Sequence, residues 1–221
     1  MAATAAITEF ADSSNEPAVR GRLYTPAEPS GNGLVLTHGA GADSRSKLLT
    51  AAADALTKNG LLVLCCDLPF RQARPHGPPF PGSAARDREG LRRAVEILKD
   101  RVAGKVFLGG HSYGGRQATM LGADQPDLAA GLLLFSYPLH PPRKPAELRT
   151  AHFPRLTTPA LFVHGSRDPF GSLEEMASAL ELVPGRTELL PIEGAGHELL
   201  RGKAPEQLMS TIVSAFQRFF F

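Results

Sequence analysis

Short apolar runs alternate along this chain with stretches of helical period, and that alternation constrains the fold more than any other feature. The runs are "GLVLT", "LLVLCC", "KVFLGG", "AAGLLLFSYP", "ALFVHG" and "TELLPIE". Their cores are apolar without polar interruption, the pattern of strands buried on both faces. Between them, Ser46 to Lys58 places Leu48, Leu49, Ala52, Ala55 and Leu56 at helical spacing, closed by Asn59-Gly60. A second helix runs through Leu91, Val95, Leu98 and Val102, with Ser83 as its expected N-cap. Further helices are predicted over Arg116 to Ala123 and Leu173 to Leu182. A last one starts at Pro205 and aligns Leu208, Ile212, Phe216 and Phe219 on one face. Ahead of the first buried run, "ITEFA" and "VRGRLY" flank the turn-like "DSSNEP" and read as a hairpin. The expected fold is α/β, one domain over residues 1–221, with a mainly parallel sheet of about seven or eight strands and helices on both faces. Right-handed crossovers bring the carboxyl ends of parallel strands to one edge, where ligands of such sheets bind.

Two proline-rich excursions interrupt the alternation, residues 69–83 and 139–158. The first is expected to hold no regular element. Together they carry Phe70, Phe80, Tyr137 and Phe153 beside Arg71, Arg74, Arg143 and Lys144. Such a set suits an apolar pocket with a basic rim, but the preferred reading is a set of solvated loop charges.

Composition excludes several classes. The 221 residues hold 24 Lys and Arg against 22 Asp and Glu, for a net charge of +2. That balance argues against nucleic acid or an anionic membrane as the main partner. The only cysteines, Cys65 and Cys66, are adjacent within an apolar run and read as buried free thiols. No metal-ligand spacing of Cys or His occurs, so no metal is expected. The first residues lack the pattern of a signal peptide, and no stretch reaches the length of a membrane span. A cytoplasmic protein is the default expectation.

The stretch "FLGGHSYGGRQ" carries the chemistry. Gly110-His111-Ser112-Tyr113-Gly114 is a G-x-S-x-G sequence between an apolar strand and a helix, the context of a nucleophile elbow. Such a turn exposes Ser112 and aims a helix N-terminus at the reacting centre. Serine needs a base held by a carboxylate. In "LFVHGSRDPFG", Asp168 lies just past a later strand; in "LPIEGAGHELL", His197 lies just past the last one. Both fall at the ligand edge in the order nucleophile, acid, base. "LTHGAGAD" follows an earlier strand, and the backbone N–H of Ala40 there pairs with that of Tyr113 as an expected oxyanion hole. Asp67 is a rival acid but precedes Ser112. His38, His111 and His164 adjoin Gly or Ser at strand ends and are expected to shape turns by local hydrogen bonds. His76, His140 and His152 lie in the proline-rich loops.

Over essentially its whole length the chain resembles the α/β-hydrolase superfamily, and more narrowly its compact, lidless subgroup related to dienelactone hydrolases. "LTHGAGA", "GGHSYGGR", "SYPLHPPRKPAELRT" and "LFVHGSRDPFG" resemble a small family of hydrolases similar to a testis-expressed protein and to a histone acetyltransferase complex subunit. The resemblance implies Ser112, Asp168 and His197 as a triad. Dienelactone hydrolases use Cys as nucleophile, so Ser112 is a departure. Many members of the subgroup carry Lys before the nucleophile, where this chain has His111.

The expected activity is cleavage of a small carboxylic ester or thioester through an acyl-enzyme, without cofactor, on a small-molecule acyl substrate. An acyltransferase differs only in its second nucleophile. A non-catalytic interaction module that keeps the fold is the alternative from another class; it usually loses a member of its site, and here all are present. Phe219, Phe220 and Phe221 leave a monomer or a weak homodimer open.

Overall fold

A computed structural model describes residues 5–200 and 205–221. Eight strands form one sheet: β1 (Ala6–Asp12), β2 (Val19–Thr25), β3 (Gly33–Thr37), β4 (Leu62–Asp67), β5 (Val106–His111), β6 (Leu132–Phe135), β7 (Ala160–Gly165) and β8 (Thr187–Ile192). Their spatial order is β1-β2-β4-β3-β5-β6-β7-β8. Strands β3 to β8 are mutually parallel, while β1 and β2 are an antiparallel hairpin added at one edge. This is the expected mainly parallel sheet.

The uninterrupted apolar runs follow from burial on both faces. In β3, Leu34 and Leu36 belong to one core cluster and Val35 to the other. In β4, Val63 and Cys65 face the first side, Leu64 and Cys66 the second. The first cluster is covered by α1 (Lys47–Lys58) and α6 (Pro205–Phe220), the second by α3 (Ala84–Lys99), α4 (Tyr113–Asp124) and α5 (Leu173–Leu180). Each fully buried Leu of these layers contributes roughly 2 kcal/mol. Phe216 and Phe220 pack on Phe107 with ring centroids 5.0 and 4.8 Å away, whereas Phe221 remains 64% exposed. Both cysteines are free and buried, and burial pushes the Cys66 thiol up to about 12 and the Cys65 thiol higher still. No helix among the described residues is long and apolar enough to cross a membrane.

Several boundaries differ from expectation. Residues 69–83 are not free of regular structure: Pro69–Ala73 form a short helix, α2, with Pro69 in its first turn, where a missing N–H costs nothing. Ser83 does not cap α3. Its backbone is already helical, and its hydroxyl donates to Asp87 Oδ2 at 3.2 Å instead. Helix α3 stops at Lys99, before Val102. Helix α4 begins three residues earlier than its apolar pattern suggests, at Tyr113, because the chain turns into it directly after Ser112. Excursion 139–158 contains only a 3-10 turn at Phe153–Arg155.

Candidate active site

Strand β5 delivers Ser112 into a backbone conformation with φ 51° and ψ −115°. That left-handed value is unfavourable for a side-chain-bearing residue and is stored at an elbow held from both sides. Ser112 N–H donates to Phe135 O at 2.9 Å and Ser112 O accepts from Arg116 N–H at 2.9 Å. The glycines permit the tight approach. A Cβ on Gly110 would lie 2.8 Å from Thr37 O, and one on Gly114 2.5 Å from His38 O.

Ser112 Oγ lies 2.8 Å from His197 Nε2, and His197 Nδ1 lies 2.8 Å from Asp168 Oδ2. The three side chains named from the sequence meet in one chain of hydrogen bonds. Asp168 is 6% exposed, and its other oxygen accepts the Phe170 N–H at 2.9 Å. With Oδ2 accepting from Nδ1–H, the neutral imidazole presents a lone pair at Nε2 and Ser112 donates to it. The Phe170 ring lies over His197, centroids 4.3 Å apart. Nothing in the sequence singled out Phe170 beyond its neighbour Asp168. The rival acid Asp67 is engaged elsewhere, accepting from Ser44 N–H at 2.7 Å, and Glu193, just past β8, accepts from the Ser166 hydroxyl at 3.1 Å.

Three histidines fix the loops around this chain. His111 Nε2–H donates to His197 O at 3.0 Å, so the residue before Ser112 holds the backbone of His197. His164 Nε2–H donates to Gly171 O at 2.9 Å and secures the turn carrying Asp168. Leu68 N–H donates to His38 Nε2 at 3.1 Å, which leaves His38 Nδ1–H to donate to Gly39 O at 2.8 Å. Burial depresses the basicity of all three, and His197 beside His111 adds to the effect there. They stay neutral near pH 7, as single N–H donors to carbonyls require. The bonds of His38 to Gly39 and of His164 to Gly171 are the local, turn-shaping kind expected, whereas His111 reaches across the site to the distant His197 backbone.

The peptide held by His38 is the one that bears the Ala40 N–H. Among the described residues that N–H donates to no backbone carbonyl. Tyr113 N–H is at the first position of α4, where no intrahelical acceptor exists. Tyr113 directly follows Ser112, and Ala40 lines the same cleft as Ser112.

A cleft of about 700 Å³ opens against Ser112 and His197. Its walls are the loop Gly39–Ala42, the start of α1 at Lys47 and Leu48, and Phe170, Glu198 and Leu200. The proline-rich excursions do not supply this lining. Phe70, Tyr137 and Phe153 are core residues, and exposed Phe80 packs under Arg74. The pocket with a basic rim is therefore not built from the residues proposed for it. Among the described residues, no group of three His, Cys, Asp or Glu side chains is placed to hold a metal ion.

A strained serine after a central strand, on a parallel sheet covered by helices, is the architecture of an α/β hydrolase. The alpha/beta hydrolase domain family matches residues 30–220, and the chain belongs to that family. Its fold is shared with a dienelactone hydrolase from Anabaena variabilis, with TM-score 0.79, 21% identity, and 98% of this chain and 99% of that one covered. It is shared also with an alpha-beta serine hydrolase homologue from Coxiella burnetii, with TM-score 0.77, 18% identity, and 94% and 96% covered. A serine hydrolase without a lid from Xanthomonas campestris superposes with TM-score 0.71 at 16% identity, covering 97% and 95%.

Proposed function

We propose that this chain hydrolyses a small carboxylic ester or thioester through an acyl-enzyme. The carrying observation is the unbroken Ser112–His197–Asp168 chain, two contacts of 2.8 Å, mounted on a strained elbow.

In this reading Ser112 Oγ attacks the acyl carbonyl while its proton passes to His197 Nε2. The carbonyl oxygen becomes an oxyanion and takes the Ala40 and Tyr113 N–H groups as donors. Asp168 holds the imidazole in its tautomer and offsets the charge of the imidazolium. The tetrahedral intermediate collapses, the bond to the alcohol or thiol breaks, and Nε2–H protonates the leaving group. Water then gives a proton to Nε2 and attacks the acyl-enzyme, and Ser112 recovers its proton as the acid departs. A cleft of about 700 Å³ with Leu48, Phe170 and Leu200 in its walls suits a short acyl group.

The test is a series of p-nitrophenyl esters and acyl thioesters of rising chain length. The reading expects turnover that peaks at short acyl chains and falls when the cleft is overfilled. Absence of turnover across the whole series would favour an interaction module with an idle site.

A further inference from the structure

Arg71 is a buried cation whose purpose lies outside its own helix. It is 6% exposed, on α2, and every hydrogen bond of its guanidinium goes to a backbone carbonyl. Nε donates to Ala42 O at 2.8 Å, and Nη2 to Ala40 O at 2.8 Å and Gly77 O at 3.0 Å. Nη1 donates to Arg74 O at 3.1 Å. Burying a charge without a carboxylate is costly, and neutral carbonyls only partly compensate. A long apolar side chain would fill the same space without that cost.

The carbonyls that Arg71 holds identify what it positions. The oxyanion loop runs Gly39-Ala40-Gly41-Ala42. A Cβ on Gly41 would meet nothing within 4 Å, so packing does not fix that turn. The Gly39–Ala40 peptide is held at its carbonyl by His38 Nδ1–H and by Ala42 N–H, the latter at 3.2 Å. The following peptide, through Ala40 O, is held by Arg71. With both peptides flanking Ala40 pinned, its N–H has a set direction.

The second oxyanion donor is tied to the same segment. Asp87, fully buried, accepts from Phe70 N–H at 3.0 Å and from the Tyr113 hydroxyl at 2.8 Å. Burial and this bond hold the Tyr113 phenol protonated, as a donor. The Phe70 ring stands edge-on between His38 and Tyr113, at 5.6 and 5.7 Å.

We propose that Arg71 is a positioning residue of the oxyanion hole, binding the glycine loop through Ala40 O and Ala42 O to aim the Ala40 N–H at the substrate oxygen. The assignment rests on the serine-hydrolase reading above. Arg71 contacts backbone carbonyls on the protein side of the loop and acts through Ala40.

The experiment measures the rate constant of Ser112 phosphonylation by a fluorophosphonate, together with kcat and KM on a short p-nitrophenyl ester. Wild type is compared with Arg71→Met, Arg71→Lys and the exposed-neighbour control Arg74→Met. Phosphonylation also develops charge on an oxygen in the hole, so it reads positioning independently of the natural substrate. Arg71→Met is expected to lower the labelling rate constant and kcat about 100-fold, the loss associated with one misplaced donor. KM should change less than about threefold. Arg71→Lys keeps the charge but not the planar fork, and is expected to recover about tenfold of that loss. The pH midpoint of kcat/KM should not move, because the His197–Asp168 contact is untouched, and Arg74→Met should match wild type. A merely structural role would reduce the labelled fraction and leave its rate constant unchanged. Should Arg71→Met fail to fold, Arg71→Lys carries the test alone. Wild-type rate constants in a folded Arg71 variant overturn the assignment while the hydrolase reading stands. Failure of wild type to label overturns both.

Discussion

The proline-rich excursions 69–83 and 139–158 are alike in composition and unlike in what their polar side chains reach. In the first, Arg71 spans back to Ala40 and Ala42, and Gln72 Nε2 reaches Ala18 O at 2.9 Å. In the second, side chains bond within the excursion or to α4 and α5: His152 Nε2 lies 2.8 Å from Thr119 Oγ1, Arg155 Nη2 donates to Asp124 Oδ1 at 3.2 Å, and His140 Nε2 lies 3.3 Å from Glu175 Oε2. Tyr137 OH donates to Arg149 O at 2.7 Å, Arg149 N–H to Leu139 O at 2.8 Å, and Arg149 Nη1 to Pro138 O at 3.2 Å. Its reach toward the site is through the acid: His140 N–H donates to Phe170 O at 3.0 Å, beside the turn of Asp168. One excursion thus holds the Gly39–Ala42 loop, and the other meets the turn that carries Asp168. Composition marks both as loops; the length and donor pattern of a few side chains decide which part of the site each one stiffens.

Perturbing the two sides separately sharpens this contrast. The largest effect is expected at the acid. Asp168→Asn should lower kcat by about 10⁴-fold, by favouring the wrong His197 tautomer, with thermal unfolding little changed. Full activity in that variant would remove the second excursion's link to catalysis. Asp87→Asn comes next. The amide oxygen can keep the Phe70 N–H, but Nδ2–H2 then faces the Ser83 and Tyr113 hydroxyls, which must turn from donors into acceptors while the buried charge is lost. It should cost about 2 kcal/mol in denaturant unfolding and lower kcat in the same direction as Arg71→Met. A loss of stability with unchanged kcat would detach Tyr113 from the shared segment.

The smallest effect concerns pH and the second excursion. Burial and the nearby arginines depress His152 to about 4, below the ordinary value near 6.5. In the unfolded chain this residue binds a proton between those values and in the folded chain it does not. Stability is therefore intact above pH 6.5, is lost as pH falls from 6.5 to about 4, and falls no further from this group below that. The loss is on the order of 2 kcal/mol. His152→Gln should flatten urea midpoints across this window while leaving kcat at neutral pH unchanged. An unaltered pH slope would mean that His152 does not govern it.

The sheet was legible because burial on both faces leaves an apolar run that few other structures require. The order Ser112, Asp168, His197 was legible because crossovers place successive strand ends on one edge. The support of the site was not. Pro69 reads as a breaker, yet at the first turn of α2 it costs nothing, and that helix is too short to show a period. Arg71 reads as a rim charge because its acceptors lie some thirty positions earlier in the chain, as carbonyls of a glycine loop. Ser83 reads as a cap because serine before a helical period is the usual signal, yet its hydroxyl goes to the Asp87 carboxylate one turn on. The cleft walls at Leu48 and Leu200 come from residues whose apolar character is equally that of core. Local pattern carries elements and their order, whereas long polar contacts to backbone leave no periodic trace.

The most direct test of the account is to treat the purified chain and its Ser112→Ala variant with a fluorophosphonate and map the adduct by mass spectrometry. A competent triad predicts one adduct, on Ser112, and no adduct in Ser112→Ala. No labelling of the folded wild type, or equal labelling of the variant, would contradict the claim that Ser112 is an activated nucleophile.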